Sequence, residues 1–321
     1  MGLLVDGEWR DQWYDTSSSG GRFVRQEAQF RDRVTADGSS GFPAESGRYH
    51  LYVSSACPWA HRTLLYRVLK GLEAHISVSV VNPLMLSEGW SFEPGEGVIA
   101  DSVNGAQCLH EVYTAAKADY TGRVTVPILW DKETGTIVNN ESSEIIRFFD
   151  REFAAVGAAS PVYCPPEHEA DIDDINAFVY DSINNGVYKS GFATTQEAYE
   201  EAVKALFAAL DQIELRLSGN RYLVGDVLTE ADWRLFTTLV RFDPVYVNHF
   251  KCNIRRLVDY PNLWAYTREL YQVPGVASTV NMDHIKSHYF QSHGTINPTG
   301  VVPVGPEIDF MEPHGREGLE G

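Results

Sequence analysis

Hydrophobic and polar residues follow two rhythms along this chain, and the change from one to the other divides it. RYHLYVSS at 48–55 predicts a strand, and PWAHRTLLYRVLKGL at 58–72 follows with apolar residues at helical spacing, closing at Gly71. Ile76, Val78 and Val80 alternate with Ser77 and Ser79, predicting a second strand. LHEVYTAAKADYTG at 109–122 predicts a short helix ending in Gly122. TVPILWD at 125–131, a KETG turn and TIVNN at 136–140 predict a hairpin, and ESSEIIRFFDREF at 141–153 another helix. Strand, helix, strand, helix, hairpin, helix in about 100 residues amounts to a compact α/β unit with helices on a small mixed sheet.

Beyond this unit the strand rhythm disappears. SPVYCPPE at 160–167 is Pro-rich and reads as a linker. In the 199–217 segment, Tyr199, Val203, Leu206, Phe207, Leu210, Ile213 and Leu217 fall on one helical face. Thr229 and Asp232 form a capping-box pattern ahead of ADWRLFTTLVRF. The expected organisation is an extension at 1–47 without a core of its own, an α/β domain at 48–160, an all-helical domain at 161–290, and a tail at 291–321. That tail is Pro- and Gly-rich but carries aliphatic residues, which implies that part of it docks.

Composition narrows the function. The formal net charge of −18 opposes phosphate backbones and anionic lipid, so nucleic acid and membrane are not expected partners. The N-terminus lacks a basic head followed by an apolar stretch, and the expected location is cytoplasmic. The four cysteines, at positions 57, 108, 164 and 252, show no paired spacing and are expected to be reduced. No glycine loop for a nucleotide is recognisable. His284 and His288 share an i, i+4 spacing but lack an HExxH glutamate or an evident third ligand, so they read as surface or interface histidines and no metal is expected.

The residues richest in chemistry are Cys57-Pro58-Trp59-Ala60, where the first strand hands over to the first helix. Pro58 suits the first helical position, and this sets Cys57 beside unpaired amide donors at the positive end of the helix dipole. A thiol so placed can fall from about 8.5 to roughly 3.5–7.5 in pKa, and the thiolate is the form that attacks sulfur. Ala60 stands where a dithiol oxidoreductase has its resolving cysteine, so an external thiol must resolve any disulfide formed at Cys57. His61 and Arg62, four and five residues on, receive no catalytic role.

Two further signals accompany it. Pro127, after Thr125 and Val126, enters the predicted third strand where a cis bond would present the Val126 backbone to an extended, peptide-like ligand. Glu141 and Ser142 open the next helix, where Ser142 and its neighbouring amides suit a carboxylate and Glu141 an ammonium group; taken alone, the pair reads as ordinary N-capping.

At these residues the chain resembles the glutathione transferase superfamily. GRYHLYVSSACPWAHRTLLYRVLKGLE, the Trp90-bearing insert EGWSFEP, RVTVPILWD, NNESSEI and INPTGVVPVGP are similar to the glutathionyl-hydroquinone reductases, the Xi class, over almost the whole chain. The resemblance implies an α/β plus all-α protein, with a thioredoxin-like N-terminal domain followed by an all-helical C-terminal domain, that works as a homodimer. It implies glutathione as co-substrate, held by Trp90, Arg123, Val124, Thr125, Val126, Glu141 and Ser142, with Pro58 and Pro127 structural. It also implies Cys57 as nucleophile, with Tyr188, Tyr246 and Tyr289 around it, and small quinone-derived glutathione conjugates as substrates. The rivals are a thioltransferase or dehydroascorbate reductase of omega type, which needs the same Cys57, and a non-catalytic adaptor.

Overall fold

The computed structural model describes residues 2–157 and 160–319. It divides into two compact units. Unit 1 comprises 1–13, 26–162 and 278–301, and unit 2 comprises 14–25, 163–277 and 302–321.

Unit 1 opens with strands β1 (Leu3–Val5) and β2 (Glu8–Arg10), then β3 (Tyr49–Val53), helix α1 (Pro58–Leu69) and β4 (Ser77–Val80). Helix α2 (Leu109–Ala116), strands β5 (Gly122–Arg123), β6 (Ile128–Asp131) and β7 (Thr136–Asn139), and helix α3 (Ser142–Arg151) follow. The central sheet runs β4-β3-β6-β7, with β3 parallel to β4 and antiparallel to β6, and β6 antiparallel to β7. This is the mixed sheet expected from the strand and helix order. All five residues of β3 are buried, as befits a strand covered on both faces.

Period two located β4 but not its environment. Ser79 is fully buried, because its hydroxyl donates to the Ala100 carbonyl at 2.9 Å and meets His50 Nε2 at 2.9 Å. Ser77 meets Nδ1 of the same ring at 2.7 Å. Burial depresses His50 to a pKa of about 4. Just ahead of β3, Arg48 grips Asp131 of β6 bidentately at 2.9 and 2.7 Å. Burial pushes the Asp131 carboxyl up, but Arg48, Thr134 and the Glu133 amide together hold it below its ordinary range.

The helix expected to end at Gly122 stops at Ala116. Lys117 turns extended, and the following residues are drawn into a second sheet, β2-β1-β5, with Leu4 paired to Gly122 and Leu3 to Arg123. The extension thus pairs with the backbone at the point where the helix was expected to close. Its later part braces the loop before α3: Phe30 and Asn140 exchange bonds of 3.1 Å, Asn139 Nδ2 donates to the Asp32 carbonyl, and Arg31 pairs with Glu144.

Unit 2 holds α4 (Glu169–Val179), α5 (Gly186–Gly191), α6 (Gln196–Gly219), α7 (Glu230–Arg241) and α8 (Pro261–Tyr271). The Val203 to Leu217 face of α6 is buried as the spacing predicts, with Tyr199 at its margin. The capping box at Thr229 and Asp232 is present, and the Asp232 carboxylate also accepts from Tyr266 at 2.7 Å and from the Leu223 amide. SPVYCPPE is more than a linker: Tyr163 and Cys164 are buried, and the Tyr163 carbonyl accepts from the Glu230 amide. The end of the tail docks through Arg316, which reaches Glu269 and the carbonyls of Leu217, Asn220 and Arg221.

Helix α9 (Met282–Ser292), at the end of the stretch expected to form the helical domain, belongs to unit 1. His61 of α1 meets Thr279, just ahead of α9, at 2.8 Å.

The His50 environment carries a pH dependence. Its folded pKa lies below the unfolded value of about 6.5, so the unfolded chain takes a proton that the fold refuses, and this part of stability is lost as pH falls from about 6.5 through about 4. Denaturation midpoints of the His50→Gln variant are expected to fall less steeply across that window than those of the parent chain. Parallel slopes would contradict the assignment.

Candidate active site

Cys57 is the N-cap of α1, with extended backbone (φ −76°, ψ 123°) and Pro58 at the first helical position. The Cys57 amide donates to Ser54, while its carbonyl takes the His61 amide at 2.9 Å and so starts the helical ladder. This leaves the side chain, half-buried, beside the open amides of the first turn. The sulfur faces the Val126 carbonyl at 3.7 Å across the entrance to β6, where the Val126–Pro127 bond is cis. The first two sequence signals therefore meet in space.

The other cysteines differ. Cys252 is sealed and burial pushes its thiol far up, Cys164 is fully buried, and Cys108 is pushed up by burial and then by Glu111, Glu88 and Glu93.

Glu141 and Ser142 open α3. The Glu141 carboxylate accepts from the Ser143 amide at 3.0 Å and its hydroxyl at 2.9 Å, so the capping reading holds. The head-group reading gains a partner that sequence spacing did not show. Arg62, buried on α1, donates from Nη1 to Ser142 Oγ at 3.3 Å and sets a guanidinium beneath the α3 N-terminus, where positive charge and amides favour an anion.

Tyr113 was also not singled out by sequence. It is completely buried on α2, and its hydroxyl donates to the Thr125 carbonyl at 2.9 Å while accepting from the Thr125 amide at 3.2 Å and Asn140 Nδ2 at 3.0 Å. One phenol thus ties the segment before the cis bond to the loop before α3. Burial raises its pKa and keeps it neutral, as both donor and acceptor. Arg123, in β5, turns its guanidinium to the Gln12 carbonyl, and Val124 is buried behind it.

Trp90 is 6% exposed and stacked on His288, with centroids 4.7 Å apart. The two histidines of α9 are buried, not on the surface, and act separately. His288 Nδ1 donates to the Pro83 carbonyl at 2.9 Å, His284 Nε2 to the Glu96 carbonyl at 2.6 Å, and Ser292 Oγ accepts the Met85 amide at 3.0 Å. Together they clamp both ends of the Trp90 loop. Tyr289, the residue after His288, is buried in unit 1 against the rings of His288 and His293.

Tyr188 and Tyr246 come together in unit 2, their rings 6.2 Å apart. Each is tied to a π-helical turn: Tyr246 ends the one at Phe242–Tyr246, and Tyr188 follows the one at Tyr180–Asn184 in α5. Pro244, with no amide hydrogen, accounts for the first break in register. Arg25 lies 5.3 Å over the Tyr188 ring and is held by Asn185 Oδ1 at 3.0 Å.

Comparison with known proteins bears on the two-domain fold. Residues 56–152 match the glutathione S-transferase N-terminal domain model and residues 196–269 the C-terminal domain model. The chain is 57% identical over 99% of both chains to glutathionyl-hydroquinone reductase YqjG of Escherichia coli. It is 60% identical to glutathionyl-hydroquinone reductase PcpF of Sphingobium chlorophenolicum, covering 95% of this chain and 96% of that one. This chain belongs to the glutathione S-transferase family. Its structural neighbours place it in the Xi class: the Xi-class transferase of Natrialba magadii superposes with a TM-score of 0.93 at 50% identity, over 100% of this chain and 98% of that one. The glutathione-bound structure of YqjG superposes with a TM-score of 0.91 at 54% identity, over 98% and 99%.

For this transferase the Tyr113 brace yields a test. Replacing Tyr113 by Phe strands the Asn140 amide and both Thr125 backbone groups, at a cost of about 1–3 kcal/mol. Amide hydrogen exchange at Thr125 should accelerate in Tyr113→Phe, and an unchanged rate would show that the phenol does not hold the segment.

Proposed function

We propose that this transferase is a glutathionyl-hydroquinone reductase, converting a glutathionyl-hydroquinone and glutathione into hydroquinone and oxidised glutathione. The observation that carries the reading is Cys57 at the amide-lined start of α1, facing the Val126 carbonyl, in a chain aligned end to end with two reductases of that name.

In the first step the Cys57 thiolate attacks the glutathione sulfur of the conjugate. A sulfur–sulfur bond forms, the carbon–sulfur bond breaks with its electron pair going to the aromatic carbon, and that carbon takes a proton to leave as hydroquinone. In the second step a glutathione thiolate attacks the glutathione sulfur of the mixed disulfide and returns Cys57 as thiolate. The conjugate is reduced and two glutathione sulfurs are oxidised, so electrons and protons balance without metal or nucleotide. The helix N-terminus favours the anionic sulfur in both steps.

Glutathione binding is assigned to Trp90, Arg123, Val124, Thr125, Val126, Glu141 and Ser142. Arg62 and the α3 amides support a carboxylate at Ser142, and Glu141 supplies the charge for an ammonium group. Following the resemblance, the proton for the aromatic carbon is assigned to the Tyr188 phenol, and hydrogen bonds to sulfur to Tyr246 and Tyr289. Cytoplasmic location and a homodimer complete the reading, the homodimer resting on the resemblance.

Chromatographic assay of hydroquinone release from a glutathionyl-hydroquinone, with dehydroascorbate in parallel, tests the reading. Cys57→Ser should lose all measurable turnover, and full activity in that variant would refute the mechanism. Preference for dehydroascorbate would instead favour an omega-type reductase.

A second variant separates the steps. Tyr188→Phe should slow hydroquinone release by about 10²–10⁴-fold while the affinity for glutathione stays near that of the parent. An equal loss in both would make Tyr188 a binding residue.

A further inference from the structure

Unit 1 carries a second cluster of ligating side chains apart from Cys57. Glu88, Cys108 and His110 bring a carboxylate oxygen, a sulfur and a ring nitrogen within 4.8 Å of one another. Backbone bonds set this up: the Leu109 amide donates to the Trp90 carbonyl and the Phe92 amide to the Gln107 carbonyl, each at 2.8 Å, so the loop bearing Glu88 is laced to the start of α2. The ring of His110 is stacked on Trp9, centroids 4.8 Å apart and planes within 19°. Trp9 is fixed in turn by its Nε1 bond to the Ser87 carbonyl at 2.8 Å. It passes so close to Gly89 that a Cβ there would lie 2.7 Å from the indole.

His110 Nε2 is shut off from solvent and has no hydrogen-bond partner among the described residues; the Glu88 carboxylate stands 3.7 Å away, too far for a bond. A buried ring nitrogen between a thiol and a carboxylate lacks the partner that folded proteins normally provide.

We propose that Glu88, Cys108 and His110 bind a borderline-soft divalent cation, Zn²⁺ first, with water in the fourth position. Sulfur, imidazole and carboxylate are the donors zinc takes, whereas magnesium and calcium require oxygen. Bonds of about 2.0–2.3 Å in a tetrahedron put ligand atoms roughly 3.3–3.8 Å apart. The oxygen–nitrogen pair already stands at 3.7 Å, all three ligand atoms lie within 4.8 Å, and Glu88, whose side chain is 63% exposed, has room to turn toward a bound ion. The Cys108 proton leaves on binding, so the metal takes a thiolate, a neutral imidazole and a carboxylate. No step assigned to Cys57 passes through this site.

Cobalt titration of the reduced full chain tests it, in a Cys57→Ser background so that the other half-buried thiol is absent. One equivalent should bind with a thiolate-to-cobalt charge-transfer band and tetrahedral visible bands, all displaced by zinc. Cys108→Ser should abolish the charge-transfer band, and His110→Ala and Glu88→Gln should each weaken cobalt binding about tenfold or more. No band at millimolar cobalt, or a band that survives Cys108→Ser, would overturn the proposal.

Discussion

The structure turns on one junction, the meeting of the Cys57 sulfur with the Val126 carbonyl at the open end of α1. The amides of a helix's first turn have no partner within the helix, and a cysteine at the N-cap is the side chain nearest to them. Pro58 secures this placement, since its ring sets helical φ and it has no amide hydrogen to lose. The buried polar side chains described around the site either fix this junction or fix the loops beside it.

That support comes from three directions. Within the α/β unit, Tyr113 bonds both Thr125 and Asn140, and Arg62 runs from α1 to Ser142, so two loops and two helix starts share a few buried polar side chains. From the N-terminal side, Phe30, Arg31 and Asp32 are bound to the loop before α3, and β1 captures β5. From the C-terminal side, α9 clamps the Trp90 loop through His284, His288 and Ser292. A buried polar network of this kind gives order only while each member has its partners. This explains how an extension without a core of its own keeps definite conformation: its backbone groups are satisfied by the body it lies on.

Much of this was legible in the residues. The period-two and period-3.6 stretches located β3, α1, β4, β6, β7, α3 and α6, and the coincidence of strand end, Cys-Pro and helix start located the sulfur. The failures share one cause. The helix from Leu109 stops short because a strand more than 100 residues upstream claims the following backbone, and Ser79 is buried because His50, on a neighbouring strand, satisfies its hydroxyl. Tyr113, Arg62 and His288 lay within recognised segments, but nothing in their spacing distinguishes a packing residue from a bridging one.

The sequence by itself determined the class of fold, the cysteine at the helix start with no resolving partner at Ala60, and the glutamate and serine at the opening of α3. These are short-range matters, settled by backbone sterics, dipoles and periodicity over a few residues. Only the tertiary structure decided that α9 belongs with the α/β unit, that Tyr188 and Tyr246 pair while Tyr289 is packed with His288 and His293, and that Glu88 and His110 converge on Cys108. Those outcomes depend on which distant groups satisfy one another's buried hydrogen bonds, a condition that no local stretch of sequence states.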